Sequence, residues 1–237
     1  MNLFTRIKIK SNSLLNYYIF QKAGFPSYRR EHISKSLIKK YLPKNPVVID
    51  CGAHIGTDSI EMARIFGGEV HAFEPIPEIY ERLVKGTSVY KNIHCYNLAL
   101  SDISGTQFFY VSEGGSDASS SLLQPKEHLV DHPDTTFNKK IDISAFSLDE
   151  WASKNNISGV DLLWLDMQGY ELKMLAASKK ILDTVKVIHT EVSTKETYMN
   201  VGLYNDYRAF LESKGFELIV EAIPEGWDMG NVLFVRK

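Results

Sequence analysis

Two glycines and two carboxylates between residues 50 and 74 carry the first chemistry in this 237-residue chain. Asp50-Cys-Gly52-Ala53-His54-Ile-Gly56 follows the apolar run Val47-Val-Ile and precedes a helical pattern, the setting of a nucleotide-binding glycine loop. Gly52 and Gly56 permit a tight turn and close backbone approach. A dinucleotide fingerprint has a third glycine to receive a pyrophosphate. Here the spacing is Gly-x-x-x-Gly, which suits a ligand without one. The next run, Val70-His-Ala-Phe-Glu74-Pro75, ends in a carboxylate about 20 residues after the loop. There it can accept hydrogen bonds from two ribose hydroxyls, the alternative being a solvated strand-end glutamate. A third element, Tyr96-Asn97-Leu-Ala99-Leu-Ser101-Asp102, offers small polar groups to a base edge, although Ser-Asp-x-Ser-Gly also has turn chemistry.

Further along, candidates for moving a proton stand at the ends of two apolar runs. Asp166 closes Leu162-Leu-Trp-Leu, and Gly169 lets the chain turn at once into the next helix, which Asp166 would also be placed to cap. His189 and Glu191 close Val187-Ile-His-Thr-Glu, and strand periodicity puts both on one face. One would be a base and the other its orienter, or Asp166 and Glu191 would share a divalent cation such as Mg²⁺ through hard oxygen ligands. No dense carboxylate cluster supports the cation, and a lone histidine on a buried strand is more often structural. Ser120, Ser121, Gln168 and Glu171 are candidates for contacting a substrate; Glu171 alternatively pairs with Lys173 or Lys195.

These residues need elements to hold them. Strands are expected at Val47–Cys51, Glu69–Phe73, Ile93–Leu98, Val160–Asp166, Val185–Glu191, Phe216–Glu221 and Asn231–Arg236, alternating with helices at Thr57–Phe66, Ile76–Lys85, Leu148–Asn155, Glu171–Leu182 and Tyr204–Lys214. Ser147-Leu-Asp-Glu150 opens the third helix as a capping box. Such alternation predicts an α/β fold with a mainly parallel sheet and helices on both faces. Thr106–Val111 and Lys139–Phe146 form an inserted strand pair around a polar loop, Ser112 to Asn138, long enough to be mobile or a lid. Two amphipathic helices, about 12–22 and 30–42, precede the core. The expected division is a basic helical extension over 1–44 packed on a domain over 45–237.

Composition bounds the class. Through Lys44 there are ten Lys/Arg against one acid, +9, leaving −11 on the remainder. A solvated surface docked on an acidic domain accounts for this; a basic cap facing an anionic acceptor or the inner membrane surface is the alternative. Cys51 and Cys95 cannot form a disulfide framework and lack the spacing of a zinc site. No apolar run approaches a bilayer span and no signal peptide is evident, so a cytoplasmic protein is expected.

Taken in order, Val-Ile-Asp-Cys-Gly-Ala-His-Ile-Gly, Phe-Glu-Pro, Asn-Leu-Ala-Leu-Ser-Asp, Ser119-Ser-Ser-Leu122 and Leu165-Asp-Met-Gln-Gly-Tyr-Glu171 resemble the FkbM-type family of S-adenosylmethionine-dependent methyltransferases, from about Pro46 to the C-terminus. The resemblance implies a Rossmann-like, seven-stranded class I methyltransferase fold and O-methylation of sugar or polyketide hydroxyls. It implies that Asp50–Gly56 cradles the methionine part of the cofactor, Glu74 the ribose, and Asn97 to Asp102 the adenine side. His54 stands where the family usually has Asn; imidazole can still donate to the cofactor carboxylate. Methyl transfer from a sulfonium is an in-line displacement dominated by positioning, and an alcohol acceptor must also lose a proton to a base: Asp166, His189 or Glu191. Tyr17, Tyr18, Tyr28, Tyr198, Tyr204 and Trp227 are candidates to stack on a sugar. The 112–138 loop and the N-terminal helices are expected to close over the acceptor.

Competing readings are a nicotinamide-dependent oxidoreductase, disfavoured by the absent third glycine, and a nucleic-acid or protein methyltransferase. Asp166-Met-Gln-Gly lacks the Asn/Asp-Pro-Pro-aromatic pattern of exocyclic amine methylation. A non-catalytic cofactor-binding module is the fourth.

Overall fold

Period-two burial builds the sheet of this protein, whose computed structural model describes residues 7–8 and 32–237. In β2 (Val47–Cys51), Ile49 and Cys51 pack into one layer and Val48 into the other, all buried. β3 (Glu69–Phe73), β4 (Ile93–Tyr96), β8 (Leu162–Leu165) and β9 (Val187–Ser193) continue the sheet in parallel with β2. β11 (Met229–Arg236) runs antiparallel to β9 and to β10 (Phe216–Ala222). The two-residue β1 (Ile7–Lys8) pairs with β10, giving the order β1-β10-β11-β9-β8-β2-β3-β4. The sheet is therefore mostly parallel, with β11 reversed.

Helices cover both faces. On one, α1 (Lys35–Ile38), α2 (Thr57–Phe66) and α3 (Pro77–Thr87) bury Ile38, Met62, Phe66 and Leu83 against Val48, Val70 and Leu162. On the other, α5 (Leu148–Lys154), α6 (Glu171–Ala177) and α7 (Tyr204–Ser213) bury Trp151, Leu175 and Leu211 against Ile49, Leu163 and Ile188. Each such side chain contributes about 1.5–3 kcal/mol by leaving water. Ser147 caps α5, its hydroxyl accepting from the Glu150 amide at 3.3 Å.

Four expectations are altered. The run Ile93–Leu98 ends at Tyr96, and the chain crosses into a second sheet, where β5 (Ala99–Ser101), β7 (Thr135–Ser147) and β6 (Gly105–Gly114) pair in that order. The inserted pair is thus three-stranded. The helix expected to reach Leu182 stops at Ala177, because the Asp149 carboxylate accepts the amides of Lys179, Lys180 and Ile181 at 2.8–3.0 Å, drawing them out of the helical ladder. The loop over 115–134 is a fixed wall rather than a free lid. It contains α4 (His128–Asp131), bridges Tyr110 to Ser121 and Pro125 to Tyr198, and donates the Lys126 and His128 amides to Thr197 O at 2.9 and 3.0 Å.

The helix expected over 12–22 lies outside the described residues. Of that expected over 30–42, the described part is α1 and a 3₁₀ turn, Lys39–Tyr41. Lys35 is buried there, paired with Asp58 and with Glu61 at 2.8 Å, its ammonium over the Trp164 ring. Among the described residues no helix is long and apolar enough to cross a membrane.

Candidate functional site

The C-terminal ends of β2, β3 and β8 open into a cleft whose mouth lies in solvent. Parallel α/β sheets receive ligands at this edge. Cys51, Gly52, His54, Glu74, Pro75, Ala99, Asp166 and Gln168 line it, with Ser120 from the wall loop. Ile76, Ile79, Leu100 and Phe109 add an apolar side fit for a flat base. Sequence reasoning missed that side, although Ile76 and Ile79, one helical turn apart behind Glu74-Pro75, were a usable signal.

Glu74 is 5% exposed. Its Oε1 accepts the Ile76 amide at 2.8 Å and its Oε2 the His54 amide at 3.2 Å. Two lone pairs remain for a diol. Gly52, at φ +83°, approaches so closely that a Cβ would sit 1.9 Å from the Asp166 carbonyl oxygen. A carboxylate with two lone pairs to spare, an apolar slot and a side-chain-free turn fit S-adenosylmethionine.

The loop serves by shape more than by its amides. The Gly52 and Ala53 amides donate to Phe73 O, and the Gly56 amide to Ala53 O. Among the described residues five non-glycines have positive φ: Asn45, His54, Asn156, Gln168 and Asn200. Asparagine and histidine tolerate this region better than most residues, which gives His54 (φ +49°) a physical reason to stand where Asn is usual. Its Nε2 lies 3.3 Å from Asp117 Oδ1 at the mouth.

Several expected residues do other work. Asp50 is buried and accepts the Ser59 hydroxyl, away from the cleft lining. Ala53 packs in the core, and Gly56 faces Leu83 and Thr87 of α3. Asn97 donates to the carbonyls of Glu74 and Pro75, fixing the turn that carries Glu74. Ser101 is fully buried and accepts from the Gln107 amide group, while Asp102 accepts the Tyr170 hydroxyl at 2.7 Å; neither lines the cleft.

His189 also lies outside the cleft lining. It is 4% exposed and stacks on Trp164 at 3.7 Å, and burial lowers its pKa to about 3, so it stays neutral. Glu171 pairs with neither Lys173 nor Lys195. It is buried, accepting the Tyr207 hydroxyl and the Met167 amide, both at 2.8 Å, and so braces the turn after β8.

That turn presents the remaining pair. Gln168 Nε2 donates to Asp166 Oδ1 at 2.7 Å and to Glu191 Oε2 at 3.2 Å, while its Oε1 accepts the Tyr198 hydroxyl at 3.2 Å. Gln168 sits at φ +52°, held there by the Ser121 hydroxyl donating to its carbonyl at 2.8 Å. Ser121 thus supports this turn and does not line the cleft. A left-handed glutamine costs about 1–2 kcal/mol, and strain of this kind clusters at functional sites. Asp166 opens to the cleft yet is ringed by protein, which raises its pKa to about 6. Glu191 is raised well above the carboxylate range by burial and by the charge of Asp166. Among the described residues no group of three or more His, Cys, Asp or Glu could hold a metal, and a cation between Asp166 and Glu191 would have to displace the bridging amide.

Burial pushes Glu74 up to about 7, as it does Asp50. A carboxyl that stays protonated in the fold stabilises it below the unfolded pKa near 4, and that contribution is lost as pH rises through 7. Buried His71, His128 and His189, all lowered, act oppositely, but only below about pH 6.5, where the unfolded chain takes up protons. From about pH 6.5 to 8 the carboxyls decide, so the melting temperature of the cofactor-free protein should fall. Glu74→Gln should flatten that fall; an unchanged slope in thermal scans of the variant would remove Glu74 from this account.

A profile of the methyltransferase FkbM domain matches residues 50–218. The 2-O-methyltransferase NoeI of Sinorhizobium fredii is 31% identical over 205 residues, 84% of this chain and 81% of that protein. Methyltransferase sdnD of Sordaria araneosa is 25% identical over 229 residues, 83% of each. Among solved structures, the Methanococcus jannaschii fibrillarin pre-rRNA processing protein matches with a TM-score of 0.50 at 16% identity, over 83% of this chain and 68% of that one, a likeness of fold alone. With the cleft at the C-terminal strand edge and the Glu74 and Asp166 elements in place, the chain belongs to the FkbM family of S-adenosylmethionine-dependent methyltransferases.

Proposed function

We propose that the enzyme methylates a hydroxyl of a sugar or glycan, with Glu191 as the general base. The observation that carries this reading is the Asp166–Gln168–Glu191 bridge, which joins the cofactor cleft to the space beside Glu191. The 2-O-methyltransferase name of a relative at 31% identity supports an oxygen acceptor. When bound, S-adenosylmethionine supplies an electrophilic methyl group on sulfur. Glu74 would hold the ribose diol, His54 would donate to the amino-acid end, and the apolar side would sandwich the adenine. Glu191 accepts the acceptor's proton as the new carbon–oxygen bond forms and the methyl–sulfur bond breaks, and burial together with the charge of Asp166 makes it a stronger base than an ordinary carboxylate. Gln168 fixes the separation of the two carboxylates, so little reorganisation is left for the reaction itself. The free Cys51 and Cys95 suit a reducing, cytoplasmic setting.

The test has two parts. S-adenosylhomocysteine at about 100 times its Kd should stabilise the fold by about 2.7 kcal/mol, whereas NADH should leave the melting temperature unchanged. With S-adenosylmethionine, mass spectrometry should then detect one added methyl group on a member of a panel of p-nitrophenyl glycosides. Methylation of RNA or peptide with none of any glycoside would overturn the reading.

A further inference from the structure

Beside Glu191 a second concavity, about 360 Å³ and open to solvent, lies between the α4 end of the wall loop and the β10–β11 hairpin. Glu191 projects into it because β8 ends at Leu165, paired with Thr190; one residue later β9 has no neighbour on that side. The same carboxylate is tied through Gln168 to Asp166 on the cofactor cleft. A group in this groove therefore reaches the proposed base, which Gln168 ties to the cofactor cleft.

The groove's wall is unusual for this molecule. Trp151 and Trp164 are 2% and 5% exposed, but Trp227, at the hairpin tip, is 56% exposed. Of the other aromatic candidates in the described residues, Tyr198 is buried on Gln168 and the wall loop, and Tyr204 donates to Glu221. Trp227 is also held in place. Its amide closes a turn onto Pro224 O at 3.0 Å, and Gly226 supplies the φ of +81° that the turn needs. The neighbouring Asp228 carbonyl accepts the Thr194 amide at 2.7 Å and the Thr194 hydroxyl at 3.1 Å. Lys195 then clasps the two sides of the groove, bonding Asp131 at 2.8 Å and Asp228 at 2.9 Å. A solvent-facing indole on a braced turn, beside hydrogen-bonding carboxylates, presents an apolar face to the C–H side of a pyranose ring and polar edges to its hydroxyls. Asp131 and Asp228 together outweigh the single charge of Lys195, a field that repels phosphate and carboxylate groups.

We propose that this groove is the acceptor subsite, and that its occupant is an uncharged or cationic saccharide ring stacked on Trp227 with one hydroxyl delivered to Glu191. The proposal rests on the O-methyltransferase reading above. The indole is exposed, so Trp227→Ala should leave the melting temperature and S-adenosylhomocysteine affinity as in the wild type. With whichever p-nitrophenyl glycoside the wild type methylates, KM should rise about tenfold or more, the equivalent of about 1.4 kcal/mol, with kcat changed far less and Trp227→Tyr restoring most of the loss. The corresponding hexose 6-phosphate should be a poorer acceptor. Exposure gives a readout independent of turnover: N-bromosuccinimide should oxidise Trp227 ahead of the two buried tryptophans, and that glycoside together with S-adenosylhomocysteine should protect it. A wild type that methylates a glycoside while Trp227→Ala keeps its KM, or while Trp227 oxidises unprotected, overturns the subsite and leaves the reaction standing. A wild type that methylates no glycoside overturns the reaction on which the subsite rests.

Discussion

Glu191→Gln is expected to lower kcat by about 10²- to 10⁴-fold, the usual contribution of a positioned base, while S-adenosylhomocysteine affinity stays within about threefold of wild type. The amide is nearly isosteric, and the Gln168 contact that positions residue 191 has a new acceptor in its carbonyl oxygen, so the geometry should survive the loss of basicity. The pH profile separates this from a structural effect. Burial and the nearby Asp166 charge both raise Glu191, so wild-type kcat should increase with pH through an inflection above the ordinary carboxylate range. Asp166→Asn removes the neighbouring negative charge and should move the inflection toward acid. A glutamine variant within tenfold of wild-type kcat, or an inflection indifferent to Asp166→Asn, would reassign the base.

The sequence was informative where a feature depends on near neighbours. β2, α2 and β3 lie within the bounds that periodicity predicts, and α2 is bracketed by Gly56 and Gly67, both left-handed. The place of Glu74 in the cleft lining was legible for the same reason, following from the strand tip and the loop 20 residues before it. What escaped depends on distant partners. The spacing that makes Glu171 resemble a pocket residue says nothing of Tyr207, 36 positions later, which takes it into the interior. Ser121 looks like a substrate contact until its hydroxyl is found on the Gln168 carbonyl, 47 residues away.

His189 and Glu191 show how one register step decides a role. Alternation correctly puts them on one face, but His189 lies opposite Trp164 in the ladder and is covered by it. Glu191 lies past the last rung of β8 and is left reaching toward the turn. The two candidate bases thus separate into a neutral core residue and a poised carboxylate through the length of the neighbouring strand, which periodicity within β9 cannot reveal. The cofactor loop and the carboxylate pair are likewise joined by geometry: the left-handed His54 and Gln168 both line the cleft, at the turns following β2 and β8.

The contact between those turns carries the second large effect. Gly52→Ala should destabilise the protein by about 3 kcal/mol or more, lowering its melting temperature by about 6–12 °C, and should abolish measurable binding of S-adenosylhomocysteine. Two costs combine. Alanine at φ +83° pays about 1–2 kcal/mol for left-handed backbone. Its Cβ would also stand 1.9 Å from the Asp166 carbonyl oxygen and 3.0 Å from the carbonyl carbon, both backbone atoms with no rotamer to yield. The tips of β2 and β8 would have to part, and the wall that Gly52 shares with Asp166 and Gln168 would open with them. Gly67→Ala separates the terms, because Gly67 has nearly the same φ, +77°, but its nearest neighbour is the Asn45 side chain at 3.7 Å. That variant should show only the conformational cost and bind the cofactor product normally. Equal losses in the two variants would mean that backbone strain alone, and not the close approach of the strand tips, makes glycine necessary at position 52.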